Sequence, residues 1–400
     1  MKKNNIIIWG AGKIGRGFIA ELFSLENFHI TFVDQSSSLI RDLNNRGSYR
    51  IINAIDKNNI QKVEIKGFYA FTTFQKSKIQ KIINESNLIS VVVYPKFFEE
   101  VSSQLRTHII KRKEEIGPVP LDLILCTNLI HAGSKFKKYL YQDLSKEEKD
   151  YFTKYIGIVE TLVIRICADP AEEIKKEDPL TVLTNGYPQL LVDSGEFKGQ
   201  IPQMKTIRLI NDMQAEEKRK LYTYNMFHAV LAYFGVMKGY KLIPDCMNDY
   251  DIEKIALGAL EEASNALQKE YNFPNLEMQV WKENVVKQTN NPIVGDTVLR
   301  YAADPIRKLK KDDRLVGPAL LCIKNGINPE NITLAIAACL CFHDDNDPTS
   351  LKMQNMITRV GIKQVVTQIC GLTKENDELI NKILDSYFKL IVEGKNAIKK

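Results

Sequence analysis

Seven cysteines in 400 residues include no C-x-x-C pair. They lie in apolar runs such as Ile124-Leu125-Cys126 and Ala338-Cys339-Leu340-Cys341. An odd number so distributed argues against a disulfide framework and fits reduced, buried thiols in a cytoplasmic protein. Long apolar stretches are missing as well: no run of about 18 such residues occurs, and the N-terminus enters a strand with no apolar signal core. No membrane anchor is expected. Charge of one sign is not concentrated either, since 55 Lys and Arg oppose 49 Asp and Glu for a net +6, with only short basic clusters at Lys308–Lys311 and Lys399–Lys400. A nucleic-acid binder of this length would gather its cations on one face with aromatics between them, so no nucleic-acid partner is expected. Repeats and low-complexity tracts are absent.

With 44% hydrophobic and 26% charged residues, the composition is that of an ordinary globular protein. The length exceeds what one core usually supports, so two domains are expected. The pattern places a doubly wound α/β domain at 1–193 and a mostly α-helical domain at 194–400.

The run Ile6-Ile7-Ile8-Trp9 suits a parallel strand buried on both faces. It leads into Gly10-Ala11-Gly12-Lys13-Ile14-Gly15-Arg16-Gly17, and Phe18 to Phe23 then follow in helical period. Strand, G-x-G-x-x-G and helix in that order form a dinucleotide-binding turn. Gly10 allows the tight bend, Gly12 the approach of a pyrophosphate and Gly15 the close packing of helix on strand. A second strand, Ile30 to Val33, ends in Asp34, 19 residues after Gly15, where an acid takes the ribose hydroxyls. Gln35 and Ser36 beside it bring no cation for a 2′-phosphate, so NAD is favoured over NADP.

Alternating helices and strands continue, with helix Ser38–Asn45 and strands near Lys62–Thr72, Leu88–Val93 and Leu121–Cys126. Asn128 follows the last of these, at the carboxyl end where ligands sit in such sheets. It could equally cap a helix. His131 reads as structural. Beyond Leu209 almost every segment has helical period: Asp251–Tyr271, Leu276–Lys287, Val294–Tyr301, Leu315–Asn325, Pro329–Phe342, Leu351–Gln368 and Glu375–Glu393.

Within a long helix expected from Asn211 to Tyr240 lies Lys220-Leu-Tyr-Thr-Tyr224-Asn225-Met-Phe-His228. With Lys220 at 0°, Tyr224 falls at about 40°, Glu217 at about 60°, His228 at about 80° and Asn225 at about 140°. Met226, Phe227, Val230 and Phe234 occupy the other side, so Lys220 leaves bulk water. Burial would disfavour its ammonium form and let the amine act as a base, although on spacing alone the same residues also read as a solvated or hydrogen-bonded polar face. Arg300, Arg307, Lys308, Lys311 and Arg314 form a cationic cluster that reads either as a solvated charge run or as a site for a phosphate or carboxylate. His343-Asp344-Asp345-Asn346-Asp347 lacks calcium-loop spacing and a second histidine, and reads as a polar loop with helix caps. No metal is assigned.

Taken together, the glycine motif running on to Phe18, Asn128 after a strand, Lys220-x4-Asn225-x2-His228, Asn291-Pro292 and Asp304-Pro-x-Arg307-Lys308-Leu309 resemble the polyol-specific long-chain dehydrogenases. The likeness runs in order from about residue 5 to 345 and is greatest to compact members acting on a hexitol phosphate. It implies Lys220 as general acid and base without metal. Asn128 and Asn225 would hold the reacting oxygen, and His228 would orient the substrate. It also implies NAD on Gly10, Ala11, Gly12, Ile14, Gly15, Arg16, Gly17 and Asp34, and a substrate pair such as mannitol 1-phosphate and fructose 6-phosphate. The phosphate would meet Arg300, Arg307 or Lys308. Departures stand at Tyr94-Pro95, Ile164 and Gln288-Thr289, the last in place of an arginine-phenylalanine pair. Two other readings stay open: a dehydrogenase of an unphosphorylated polyol or hexonate, and a non-catalytic NAD-binding regulator. A monomer or small homo-oligomer is expected.

Overall fold

Strand β1 (Asn5–Trp9) is the expected apolar run, and its residues divide between two cores. Ile6 and Ile8 pack into a cluster with Phe18, Phe32 and Ile124, whereas Ile7 and Trp9 join Val33, Ile89, Val91 and Leu123. Successive side chains point to opposite faces of a sheet, so a strand without polar alternation needs cover on both sides. The computed structural model describes residues 4–129, 131–293 and 296–397, with side chains to Val392. Ile130, Val294 at the start of one expected helix, and the Lys399–Lys400 pair lie outside the described residues.

The strands after β1 are β2 (His29–Asp34), β3 (Ser48–Asp56), β4 (Asn59–Lys66), β5 (Tyr69–Thr72), β6 (Leu88–Val91) and β7 (Leu121–Leu125). Then come β8 (Ile156–Leu162), β9 (Cys167–Ala168), β10 (Val182–Thr184), β11 (Leu190–Asp193) and β12 (Ile207–Ile210). The large sheet has the order β12-β11-β8-β7-β6-β1-β2-β5. From β5 to β8 every pairing is parallel. Those six strands, counted along the chain, lie in the order third, second, first, fourth, fifth, sixth, which is the doubly wound Rossmann arrangement. Its switch point falls between β1 and β6. A smaller sheet, β4-β3-β10-β9, is inserted beside it. The strands expected near Lys62–Thr72 are β4 and β5, and they belong to different sheets.

The chain separates into two compact units, Met1–Glu216 and Glu217–Lys400. β12 pairs with β11, which carries the first unit past Asp193. In the second unit the regular elements of the described residues are all helices, apart from an isolated bridge between Leu242 and Thr297. Tyr250–Tyr271 is capped by the Asp249 side chain, which accepts from Asp251 N and Ile252 N. The expected helix Leu351–Gln368 is two, Pro348–Val360 and Ile362–Cys370, because Gly361 between them has φ +81°. Asp347 accepts from Thr349 N and Ser350 N and from Asp304 N. The acidic loop after His343 therefore caps a helix, as its spacing predicts. All seven cysteines are free thiols. Among the described residues no helix is long and apolar enough to cross a membrane.

Candidate active site

In the first unit the glycine motif does what its spacing predicts. Gly10 has φ +108°, and a Cβ there would overlap the Val92 carbonyl at the end of β6. A Cβ on Gly15 would overlap the Gly10 carbonyl, and one on Gly17 would strike Val182. A Cβ on Gly12, by contrast, would meet nothing within 4 Å. Three of the motif's four glycines are therefore tightly packed, and only at Gly12 is the backbone of a motif glycine approachable. The helix begins at Lys13, so its first N–H groups and positive dipole end lie beside that opening. Asp34, half-buried at the end of β2, accepts from Ala11 N at 2.7 Å and from Ser36 N at 2.8 Å. It ties the second strand to the loop. These residues fit a dinucleotide: open backbone at Gly12, a helix N-terminus, and a carboxylate where ribose hydroxyls belong.

Arg16 sits differently from its neighbours in the motif. Its guanidinium is buried, with Nε donating to the Leu180 carbonyl at 3.4 Å and Nη1 to the Ala11 carbonyl, and its backbone N–H bonds Gly12 O at 2.9 Å. Arg16 is engaged inside the unit and braces the loop. Arg165, beside Ile164, is likewise buried: it pairs with Glu21, donates to Gly17 O at 3.1 Å and covers the Phe18 ring. Asn128 is exposed just beyond β7, and His131 takes a left-handed conformation at the start of helix Ala132–Leu140.

The long helix expected from Asn211 to Tyr240 has an interruption. Met213–Lys220 and Met226–Lys238 are α-helical, but Leu221–Asn225 forms a wide i→i+5 turn. Such a turn inserts one residue and turns everything after it back by about 100°, one residue's share of a 3.6-residue turn. His228 moves from about 80° to roughly −20°, nearly in line with Lys220. Thr223 supports the turn. Its hydroxyl donates to Arg219 O at 2.5 Å and accepts from Trp281 Nε1 at 2.8 Å. The Arg219 guanidinium lies 4.0 Å from the Trp281 ring centre and bonds Glu277 at 2.5 Å.

Lys220 is 9% exposed, and its amine is pulled from the usual 10.5 to about 8. Burial is the main cause and Arg314 adds to it, while Glu217 opposes both. His228, also 9% exposed, is pulled down to about 3 by burial, then by Arg314, Lys220 and Arg300. Its Nε2 lies 3.0 Å from Thr289 Oγ1, and its ring stacks on Tyr301 with centroids 4.4 Å apart. Asn225 is half-buried within the wide turn.

The cations differ among themselves. Arg300 is 67% exposed and pairs with Asp296; Arg307 pairs with Asp304 at 2.8 Å and with Asp313 at 3.8 Å. Lys308 is 3% exposed and lowered to about 8, by burial first and then by Arg314 and Arg307. Arg314, with Asp313 at 2.8 Å, acts electrostatically on Lys220, His228 and Lys308 alike. In sequence it is one basic residue in a cluster. No periodicity links it to Lys220, just as none links Thr289 or Tyr301 to His228. Among the described residues no group of three or more His, Cys, Asp or Glu could hold a metal ion.

Two family profiles cover nearly all of the chain: the mannitol dehydrogenase Rossmann domain over residues 4–206, and the mannitol dehydrogenase C-terminal domain over residues 212–391. The chain belongs to the mannitol dehydrogenase family and is an oxidoreductase. It is 33% identical over 386 residues to a mannitol-1-phosphate 5-dehydrogenase of Caldanaerobacter subterraneus, covering 96% of this chain and 97% of that one. A protein of the same name from Buchnera aphidicola is 31% identical over 377 residues, 94% of this chain and 96% of that one. Among solved structures, Pseudomonas fluorescens mannitol 2-dehydrogenase, in a ternary complex with NAD and D-mannitol, shares the fold with a TM-score of 0.73 at 17% identity. That likeness covers 100% of this chain and 95% of that one. A substrate-free D-sorbitol dehydrogenase does so with 0.83 at 14% identity, over 98% and 94% of the two chains.

Proposed function

We propose that this protein is an NAD-dependent dehydrogenase that interconverts mannitol 1-phosphate and fructose 6-phosphate, with Lys220 as general acid and base. The observation that carries this reading is the Lys220 amine, buried beside His228 and Arg314 and held at about 8, where protonated and neutral forms coexist near working pH. In the oxidising direction Nζ of Lys220 takes the proton of the carbinol hydroxyl; in the reducing direction it returns that proton. Asn225 and Asn128 are assigned as amide donors to the carbinol oxygen, where their hydrogen bonds strengthen as negative charge gathers. His228, neutral at working pH, orients the substrate. Glu217, one turn before Lys220, is assigned to pass its proton to solvent, and an unchanged pH dependence in Glu217→Gln would remove that role.

When bound, NAD supplies the hydride acceptor. Gly10, Ala11, Gly12, Ile14, Gly15, Arg16 and Gly17 form the loop that would hold its pyrophosphate, and Asp34 would take the ribose hydroxyls. Gln35 and Ser36 offer no positive charge to a 2′-phosphate, which supports NAD over NADP. The free thiols fit a cytoplasmic enzyme.

The substrate phosphate is assigned to the cations Arg300, Arg307 and Lys308, with Arg314 among them. Relatives named for mannitol 1-phosphate, matching along nearly the whole chain, support that choice. The test is NADH formation with mannitol 1-phosphate, glucitol 6-phosphate, mannitol and the hexonates, with mannitol 1-phosphate expected to give the highest kcat/KM. Preference for a hexonate or for free mannitol would reject the phosphate assignment, and no turnover with any of them would leave a binding protein. Arg307→Ala should raise KM for the phosphorylated substrate far more than for mannitol.

A further inference from the structure

His228 is held on two sides. Its ring lies on Tyr301, 24° from parallel, and the Tyr301 hydroxyl is fixed by Asp296 Oδ2 at 2.6 Å. At its edge, Nε2 faces Thr289 Oγ1 at 3.0 Å, and that same oxygen lies 2.7 Å from the Val285 carbonyl, one turn earlier on helix Asn275–Thr289. Thr289 is buried, at 5% exposure, so no water competes freely for its hydroxyl.

The hydroxyl has one proton and two lone pairs, and a carbonyl can only accept. With the proton spent on Val285, Oγ1 offers the histidine a lone pair, and both bonds form together only if Nε2 carries the hydrogen. A neutral imidazole has a single N–H, so Nδ1 is then left as an acceptor. Among the described residues no protein group hydrogen-bonds Nδ1. The proton positions follow from this network of heavy atoms.

We propose that Thr289 and Tyr301 are positioning residues that hold His228 as the neutral Nε2–H tautomer, so that Nδ1 accepts a hydrogen bond from a substrate hydroxyl. This rests on the reading of His228 as a substrate contact. Burial, and after it the cations Arg314, Lys220 and Arg300, act together against an imidazolium, which keeps the acceptor available. The consequence is chemical selectivity: a hydroxyl can donate to Nδ1, whereas a keto or carboxylate oxygen placed there cannot. The group recognised at this point is thus a carbinol neighbouring the reacting carbon.

The chain has five histidines, so 15N spectra of histidine-labelled protein are simple, and a His228→Gln variant identifies the His228 signals by difference. The expected result is a ring protonated on Nε2 and bare on Nδ1, unchanged as pH is lowered to 6. Thr289→Val should lose this pattern and Thr289→Ser keep it. Losing one neutral hydrogen bond should raise KM for mannitol 1-phosphate by about 3- to 10-fold in Thr289→Val, with kcat within about twofold, and Thr289→Ser should restore KM. A ring protonated on Nδ1 in the unaltered protein, or a spectrum untouched by Thr289→Val, overturns the positioning. The expected spectra combined with unchanged kinetics in His228→Ala would instead reject His228 as a substrate contact, which is a failure of the functional reading.

Discussion

The two units build their sites by different means. In the first, the backbone is the instrument: Gly10, Gly15 and Gly17 press a contiguous loop onto β1, β6 and β10, and only Gly12 faces open space. In the second, side chains from separate segments meet, Lys220 and His228 on one interrupted helix, Thr289 at the end of another, and Tyr301 and Arg314 from the polar stretch beyond. A backbone site tolerates few residue types and is written locally. A side-chain site depends on how helices pack, and its members can be far apart in sequence.

The largest effect should fall on the second site. Lys220→Met is expected to reduce kcat by about 10²- to 10⁴-fold in both directions, the usual worth of a positioned acid or base, while NADH still binds. Loss of NADH binding together with turnover would show that the two sites cannot be separated in this way. The same variant carries a stability prediction. The folded-state pKa of Lys220, about 8, lies below its ordinary 10.5, so the folded protein binds fewer protons between those values and stability rises with pH across that window. Below pH 8 the full cost of burial remains, on the order of 3 kcal/mol. Lys220→Met should therefore raise Tm at pH 7, and that gain should shrink toward pH 10; a lower Tm at pH 7 would contradict it.

Next in size is a pair of glycine variants that asks whether Gly12 alone among the motif's glycines is open. Gly12→Val should weaken NADH binding by about 100-fold or more, through loss of close backbone approach, yet shift Tm by no more than about 2 °C. Gly15→Val should lose both binding and roughly 1–3 kcal/mol of stability, because its side chain meets the Gly10 carbonyl. Equal stability losses in the two would remove the distinction.

Arg314→Met comes third. Removing one charged partner should raise KM for the phosphorylated substrate by about 10- to 100-fold. It also withdraws a like charge from Lys220, so the amine's pKa should move upward. The smallest effect is the unaltered enzyme's own pH profile: kcat/KM for alcohol oxidation should rise through about pH 8 and level off, while ketone reduction falls over the same range. Lys308 has a pKa of about 8 as well, so Lys308→Met is the control. Persistence of the step in that variant assigns it to Lys220, and disappearance assigns it to Lys308.

Much of the first unit was legible because its signals are local. A buried strand, three spaced glycines and an acid at the next strand's end need no tertiary information, and β1, β2 and the loop lie where these predict. That β4 and β5 belong to different sheets was not legible, since one β-rich stretch serves both. In the second unit the helices were visible from their period, but the wide turn at Leu221–Asn225 was not. It depends on Thr223 and on Trp281, which arrives from 58 residues away. That turn matters to the site because it carries His228 toward Lys220. The roles of Thr289, Tyr301 and Arg314 were illegible for the same reason: each acts on Lys220 or His228 through helix packing.

If the proposed preference for NAD holds, Asp34 has a consequence for anyone wishing to retrain this protein for NADP. The usual redesign exchanges the acid after β2 for a small neutral residue and adds an arginine nearby. Here, however, the carboxylate also anchors Ala11 N and Ser36 N. A glycine at 34 would admit the extra phosphate while loosening the bend that receives the rest of the molecule, whereas an asparagine retains an amide oxygen for Ala11 N but gives up the charge and turns an NH2 toward Ser36 N, which loses its acceptor.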